Sequence, residues 1–181
     1  GCGAAYSNTT GDKNTAVGCQ AGFCNCTGDG QVAIGSTALY NSTVGENVAV
    51  GSCAATANTT GAGNTAIGHV ALCSNTTGGN NVAVGRHALC TNTTGCENVA
   101  IGNCALRNNL CGCCGHNYNT AVGNNALYAN TAQSNTAVGY GALADNTTGA
   151  TNTAVGENAL HQTTTGSCNV AMGRQAMFEN E

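Results

Sequence analysis

The sequence predicts an all-β protein: a single-stack parallel β-solenoid (β-roll) of about ten coils, seventeen residues to the coil. Three observations predict it. The tripeptides Ala-Val-Gly and Ala-Ile-Gly, with one Ala-Met-Gly, recur down the whole chain at near-constant spacing. Aromatic residues make up only 4% of the chain, too few for a thick core, so the fold must be thin. Residue identity is also held position by position from one copy to the next. That is what stacked copies of one unit require, and it argues against the disorder that a charge content of 7% and abundant Asn, Thr and Gly would otherwise suggest.

The repeat is measured on its anchor glycines: Gly18, Gly35, Gly51, Gly68, Gly85, Gly102, Gly123, Gly139, Gly156 and Gly173. They are separated by 17, 16, 17, 17, 17, 21, 16, 17 and 17 residues, and Gly1 lies one further 17-residue step upstream. Residues 1–181 therefore read as one continuous repeat domain with no linker, carrying one lengthened coil near 103–122.

Each element has a physical reason. In Asn-[Thr/Val]-Ala-[Val/Ile]-Gly the β-branched residues alternate with Ala, which suits a short strand. The Ala-Leu that follows suits a second short strand, so two or three strands per coil are expected. The anchor Gly and the Asn-Thr-Thr-Gly segment supply turns, because Gly accepts positive φ and Asn bonds its own backbone. Coils paired at about 4.8 Å would make a rod on the order of 48 Å long. Val, Ile and Leu columns, such as Val138 and Leu143, are expected to fill the core, with Ala137 and Ala142 as close-contact walls. The Asn four residues before nearly every anchor, with Gln31 in its place once, is expected to form an amide ladder. Asn-Thr-Thr-Gly is expected at an exposed corner. Successive strand residues point to opposite faces, so one small or apolar face is left outside, suited to lateral packing against another chain.

The motif Asn-Thr-Ala-Val-Gly-x-x-Ala-Leu-x-x-Asn-Thr-Thr-Gly, seen from Asn135 to Gly149, resembles the tandem repeats of bacterial and phage surface proteins. These include stalks that precede endosialidase-type chaperone domains in tail fibres. Asn98-Val99-Ala100-Ile101-Gly102 is similar to the head repeats of trimeric autotransporter adhesins. The resemblance implies a left-handed parallel β-roll.

The chain has 13 cysteines, which points to an oxidising, extracellular or cell-surface location. Cys2 and Cys19 share a column one coil apart, as do Cys73 and Cys90, and Cys96 and Cys113 are also 17 apart. These six are disulfide candidates, since stacked neighbours lie within disulfide reach. The alternative is that Cys stands in for Ala, Ser or Thr as a small side chain. The run Cys111 to His116 lies in the lengthened coil, where a bulging loop with disulfides is favoured over a metal site. Asn-x-Ser/Thr acceptor sequences occur at Asn8, Asn25, Asn41, Asn58, Asn75, Asn92 and Asn146, making these candidates for N-glycosylation along one edge of the rod. The alternative is an Asn/Thr turn ladder without sugar.

No catalytic constellation is visible. The histidines 69, 87, 116 and 161 fall at different positions within their coils, and the eight carboxylates are scattered. No cofactor is expected. A net charge of −4 gives no electrostatic case for nucleic acid, and no apolar run is long enough for insertion into a membrane as a helix. The expected function is a structural extracellular fibre, filament or stalk. Its expected partner is itself, stacked head to tail and packed laterally, with glycans as further candidates. The alternatives are an ice-binding solenoid or a passenger segment of an adhesin or tail fibre. The ice-binding reading draws on the half-Thr column Thr15, Thr65, Thr120, Thr136 and Thr153, though no two-rank threonine grid is evident.

Overall fold

The computed structural model describes residues 1–109 and 118–179. Ten three-residue strands follow one another: β1 (Thr15–Val17), β2 (Val32–Ile34), β3 (Val48–Val50), β4 (Thr65–Ile67), β5 (Val82–Val84), β6 (Val99–Ile101), β7 (Thr120–Val122), β8 (Thr136–Val138), β9 (Thr153–Val155) and β10 (Val170–Met172). They form one parallel sheet in chain order. The register never slips: Ala66 faces Ala83, which faces Ala100, and the 21-residue step is absorbed without shifting Ala100 from Ala121. The chain is therefore a β-solenoid with one strand per coil.

The second expected strand is absent. Ala-Leu lies in a turn-rich stretch where the second and fourth residues after the anchor Gly take positive φ, as at Thr37 (55°) and Leu39 (49°). Alternating hands of φ cannot make a pleated strand. The backbone still bonds from coil to coil there: Leu39 N–H donates to Ala54 O at 3.0 Å, and Leu72 to Ala88 O at 3.0 Å. Positive φ costs a non-Gly residue roughly 1–2 kcal/mol. Burying a leucine side chain contributes about 1.5–3 kcal/mol, and Leu39, Leu72, Leu89, Leu106, Leu127, Leu143 and Leu160 are all fully buried. Burial offsets the strain at the leucine itself, and the backbone bonds between coils hold the rest of the turn.

The core is thinner than expected. It consists of the strand alanines, the alanines three residues after each anchor and the leucine column. The expectation that Val and Ile of the strand point inward is overturned: Ile67 and Ile101 are each 40% exposed, while Ala66 and Ala100 between their neighbours are fully buried. The interior opposite the sheet is already filled by leucine, and only a methyl group fits between. The anchor glycines mark the sharp end of each strand, with φ between 119° and 138°. A Cβ there would run into the carbonyl of the next anchor glycine.

Two buried asparagine columns complete the interior. In the column before the strand, asparagine side-chain oxygens accept the backbone N–H of the copy one coil on, as from Asn64 to Asn47 at 2.9 Å and from Asn81 to Asn64 at 3.0 Å, whereas Gln31 leaves its side-chain oxygen without a partner. Most of the side-chain amides also reach a main-chain carbonyl, Asn64 to Gly78 O at 2.9 Å and Asn119 to Ala132 O at 2.8 Å. The Asn of Asn-Thr-Thr-Gly sits opposite. Asn75 donates to Asn58 Oδ1 and to Gly78 O, both at 2.8 Å. One glycine carbonyl thus takes both amides, which pairs these donors away from water.

Candidate functional site

The outward strand columns make the most regular surface of the rod. One column runs Thr15, Val32, Val48, Thr65, Val82, Val99, Thr120, Thr136, Thr153 and Val170. The other, two residues on, runs Val17, Ile34, Val50, Ile67, Val84, Ile101, Val122, Val138, Val155 and Met172. Both are exposed or half-buried in every coil, whereas the alanine between them is buried in nine of ten. Exact register gives a two-rank array, about 4.8 Å between coils and about 6.6 Å across each strand. It covers roughly 300 Å², the lower end of the size range of the largest apolar patch on a monomer, which is often functional.

No charged residue lies in either rank. Charges stand on the flanks instead: Lys13, Glu46 and Glu97 just before the strands, and Arg86, Glu157 and Arg174 just after the anchors. An apolar centre with a charged rim is the anatomy of a contact surface. The strand carried a sequence signal for this orientation that hydrophobicity alone conceals. Ala is invariant at the middle position because space there is fixed, while the flanking columns exchange Thr for Val and Val for Ile or Met because they face outward.

The glycosylation candidates resolve differently. Asn25, Asn58, Asn75, Asn92 and Asn146 are buried, so the expected exposed edge is corrected. Their side-chain amides, the atoms a sugar would occupy, donate to glycine carbonyls: Asn58 to Gly61 at 2.8 Å and Asn146 to Gly149 at 2.9 Å. A glycan there would break the ladder and has no space. Asn8 is exposed in the first coil, and Asn41 is half-buried beside the column that Ser42 occupies. The neighbouring threonines tie coils together: Thr59 Oγ1 donates to Thr76 O at 2.9 Å.

Of the cysteine pairs, one is brought into contact. Cys73 and Cys90 hold their sulfurs 3.2 Å apart, as thiols. The hydrogen bond with Cys90 pulls the Cys73 thiol down to about 6, against burial, which raises it, and with smaller help from Ser74 and Arg107. The same contact, then burial, pushes the Cys90 thiol up. Cys2 and Cys19 are exposed thiols. Cys96 accepts the Gly79 N–H at 3.3 Å, and Cys113 lies outside the described residues with the rest of Cys111 to His116.

Among the described residues, no three His, Cys, Asp or Glu side chains gather as a metal site would require. No helix is long and apolar enough to cross a membrane. Comparison with protein-family models, with curated proteins and with solved structures finds no match for this chain.

Proposed function

We propose that the protein is a structural rod whose Thr/Val and Val/Ile face seats a second copy side by side. The observation that carries this is the uninterrupted, uncharged double rank along all ten strands, in a molecule whose alanines and leucines are largely used up in its core. Size sets how the rod would work. A standard stable interface takes about 800 Å² from each partner, and this face offers less than half of that. The loss of rigid-body freedom on pairing is incurred once, however long the contact. Lateral association therefore strengthens with every coil added, which favours a fibre or stalk.

A second reading rests on the same face. A flat, evenly spaced array of Thr and branched aliphatic side chains also suits binding to an ordered water lattice, and the structure supplies two ranks where the sequence suggested one.

Sedimentation velocity over a range of concentrations separates the two, comparing the natural chain with Ile67→Asp/Ile101→Asp, each checked for β structure by circular dichroism. Lateral pairing predicts a concentration-dependent larger species that the double variant loses. A chain that stays monomeric throughout, yet shows thermal hysteresis that the variant abolishes, would overturn the rod reading in favour of ice binding.

A further inference from the structure

A second wall of the solenoid carries a different pattern, independent of the proposed lateral face. The residue five after each anchor forms a column that carries large planar groups in two runs, with small side chains at Thr56, Cys73, Cys90 and Ala144. Tyr6 stacks on Phe23, and Phe23 on Tyr40, with centroids 5.1 Å apart and planes within 5° of parallel. Higher up, His161 stacks on Phe178 at 5.3 Å. Arg107 lies beside the Tyr128 ring and donates to its hydroxyl at 2.8 Å. Between Tyr128 and His161 the column holds only Ala144.

The same coil is thinned a second time. The residue two after its anchor is Gly141, where the coils on either side carry Asn125 and Asn158. The two gaps coincide with a cleft of about 400 Å³ bounded by Tyr128, His161, Tyr140 and Asp145. A volume of that size accepts a small molecule. Two coil spacings separate Tyr128 from His161, about 10 Å. That is twice the stacking distance seen at Tyr6, Phe23 and Tyr40, so one ring inserted midway would stack on both neighbours at the spacing the column already uses.

We infer that this notch binds a small planar aromatic molecule bearing an ammonium or other N–H donor, which takes the place of the missing rung. The ring class follows from the flanking planes. The donor follows from the rim, where the Asp145 carboxylate stands half-exposed, 3.4 Å from His161 Nδ1. Asn158 Oδ1 also leans into the space that Gly141 leaves. Both are acceptors, and the net charge of −4 disfavours an anion.

Tryptamine is a suitable probe, because the chain has no Trp and indole fluorescence reports the ligand alone. The full chain is titrated against tryptamine, with tryptophol as the uncharged control. Saturable binding is expected. Ala144→Phe, which supplies the missing rung, weakens it at least tenfold, and Asp145→Asn weakens tryptamine several-fold while leaving tryptophol unchanged. Thr56→Phe fills a small position elsewhere in the same column and leaves binding intact, which separates filling of the notch from general disturbance of the column. Should Ala144→Phe lose its β circular dichroism, Tyr128→Ala takes its place and is expected to weaken binding in the same way. Absence of saturable binding to the natural chain overturns the inference, as does binding that survives both Ala144→Phe and Tyr128→Ala. None of these outcomes bears on lateral association, which uses a different set of columns.

Discussion

Asn75 shows how a rod of small residues holds together. It is fully buried, donates to Asn58 Oδ1 and Gly78 O, and accepts from Asn92 at 2.9 Å. Truncation to Ala takes the Asn75 donor from buried Asn58 Oδ1 and one bond each from Gly78 O, which keeps the Asn64 amide, and from the Asn92 amide, which keeps Gly95 O. Asn75→Ala is expected to destabilise the fold by about 1–3 kcal/mol in urea denaturation, while Thr77→Ala on the exposed corner stays within about 0.5 kcal/mol. Equal effects would contradict the ladder. His87 supplies a pH test. Burial, then the charges of Arg86, Arg107 and His69, hold its proton affinity below the ordinary value, and its Nδ1 is buried with no partner. The folded chain therefore binds fewer protons at His87 than the unfolded chain. Stability is full above the unfolded value of about 6.5 and falls as pH drops below it. His87→Gln is expected to flatten that fall in thermal melts between neutral and mildly acidic pH.

Individual coils show what could be read from sequence and what could not. The period, the single parallel stack and the Asn ladder before the strand were legible, because identity at fixed spacing leaves few other folds. The facing of the strand was not, because both of its sides are apolar or small, and alternation without polarity has no sign. Positive φ at leucine was hidden as well, since nothing in Ala-Leu marks a conformation that only its burial sustains. Burial of the Asn-Thr-Thr-Gly asparagine was hidden because a polar turn residue is ordinarily exposed, whereas here its amide finds the glycine carbonyl three residues on and, at Asn75, the Asn58 Oδ1 of the neighbouring coil. Cysteine pairing was legible in part. Cys73 and Cys90 share a column and their sulfurs touch, whereas Cys2 and Cys19 share a column and remain exposed thiols. Treatment with a small-molecule disulfide is expected to join Cys73 to Cys90 first, seen by peptide mapping. The sulfurs need to close by about 1 Å, and closing a loop of about this length stabilises by about 3 kcal/mol. Cys73→Ser should abolish both the link and the gain in melting temperature.

Taken together, the coils make a rod with an inside of alanine, leucine and asparagine and one outside wall of valine, isoleucine and threonine. Turning the strand outward changes what the molecule is for. Inward valines would have been core and nothing more, whereas outward ones form a surface that lengthens with the repeat. The role of that surface is tested most directly by site-specific photo-crosslinking. A benzophenone side chain placed at Val84, in the centre of the face, is expected to yield a covalent pair of chains on illumination. The same group at Thr59, on the threonine corner, is expected to yield none. Pairing from Thr59 with none from Val84 would contradict the assignment of the strand face as the seat of assembly.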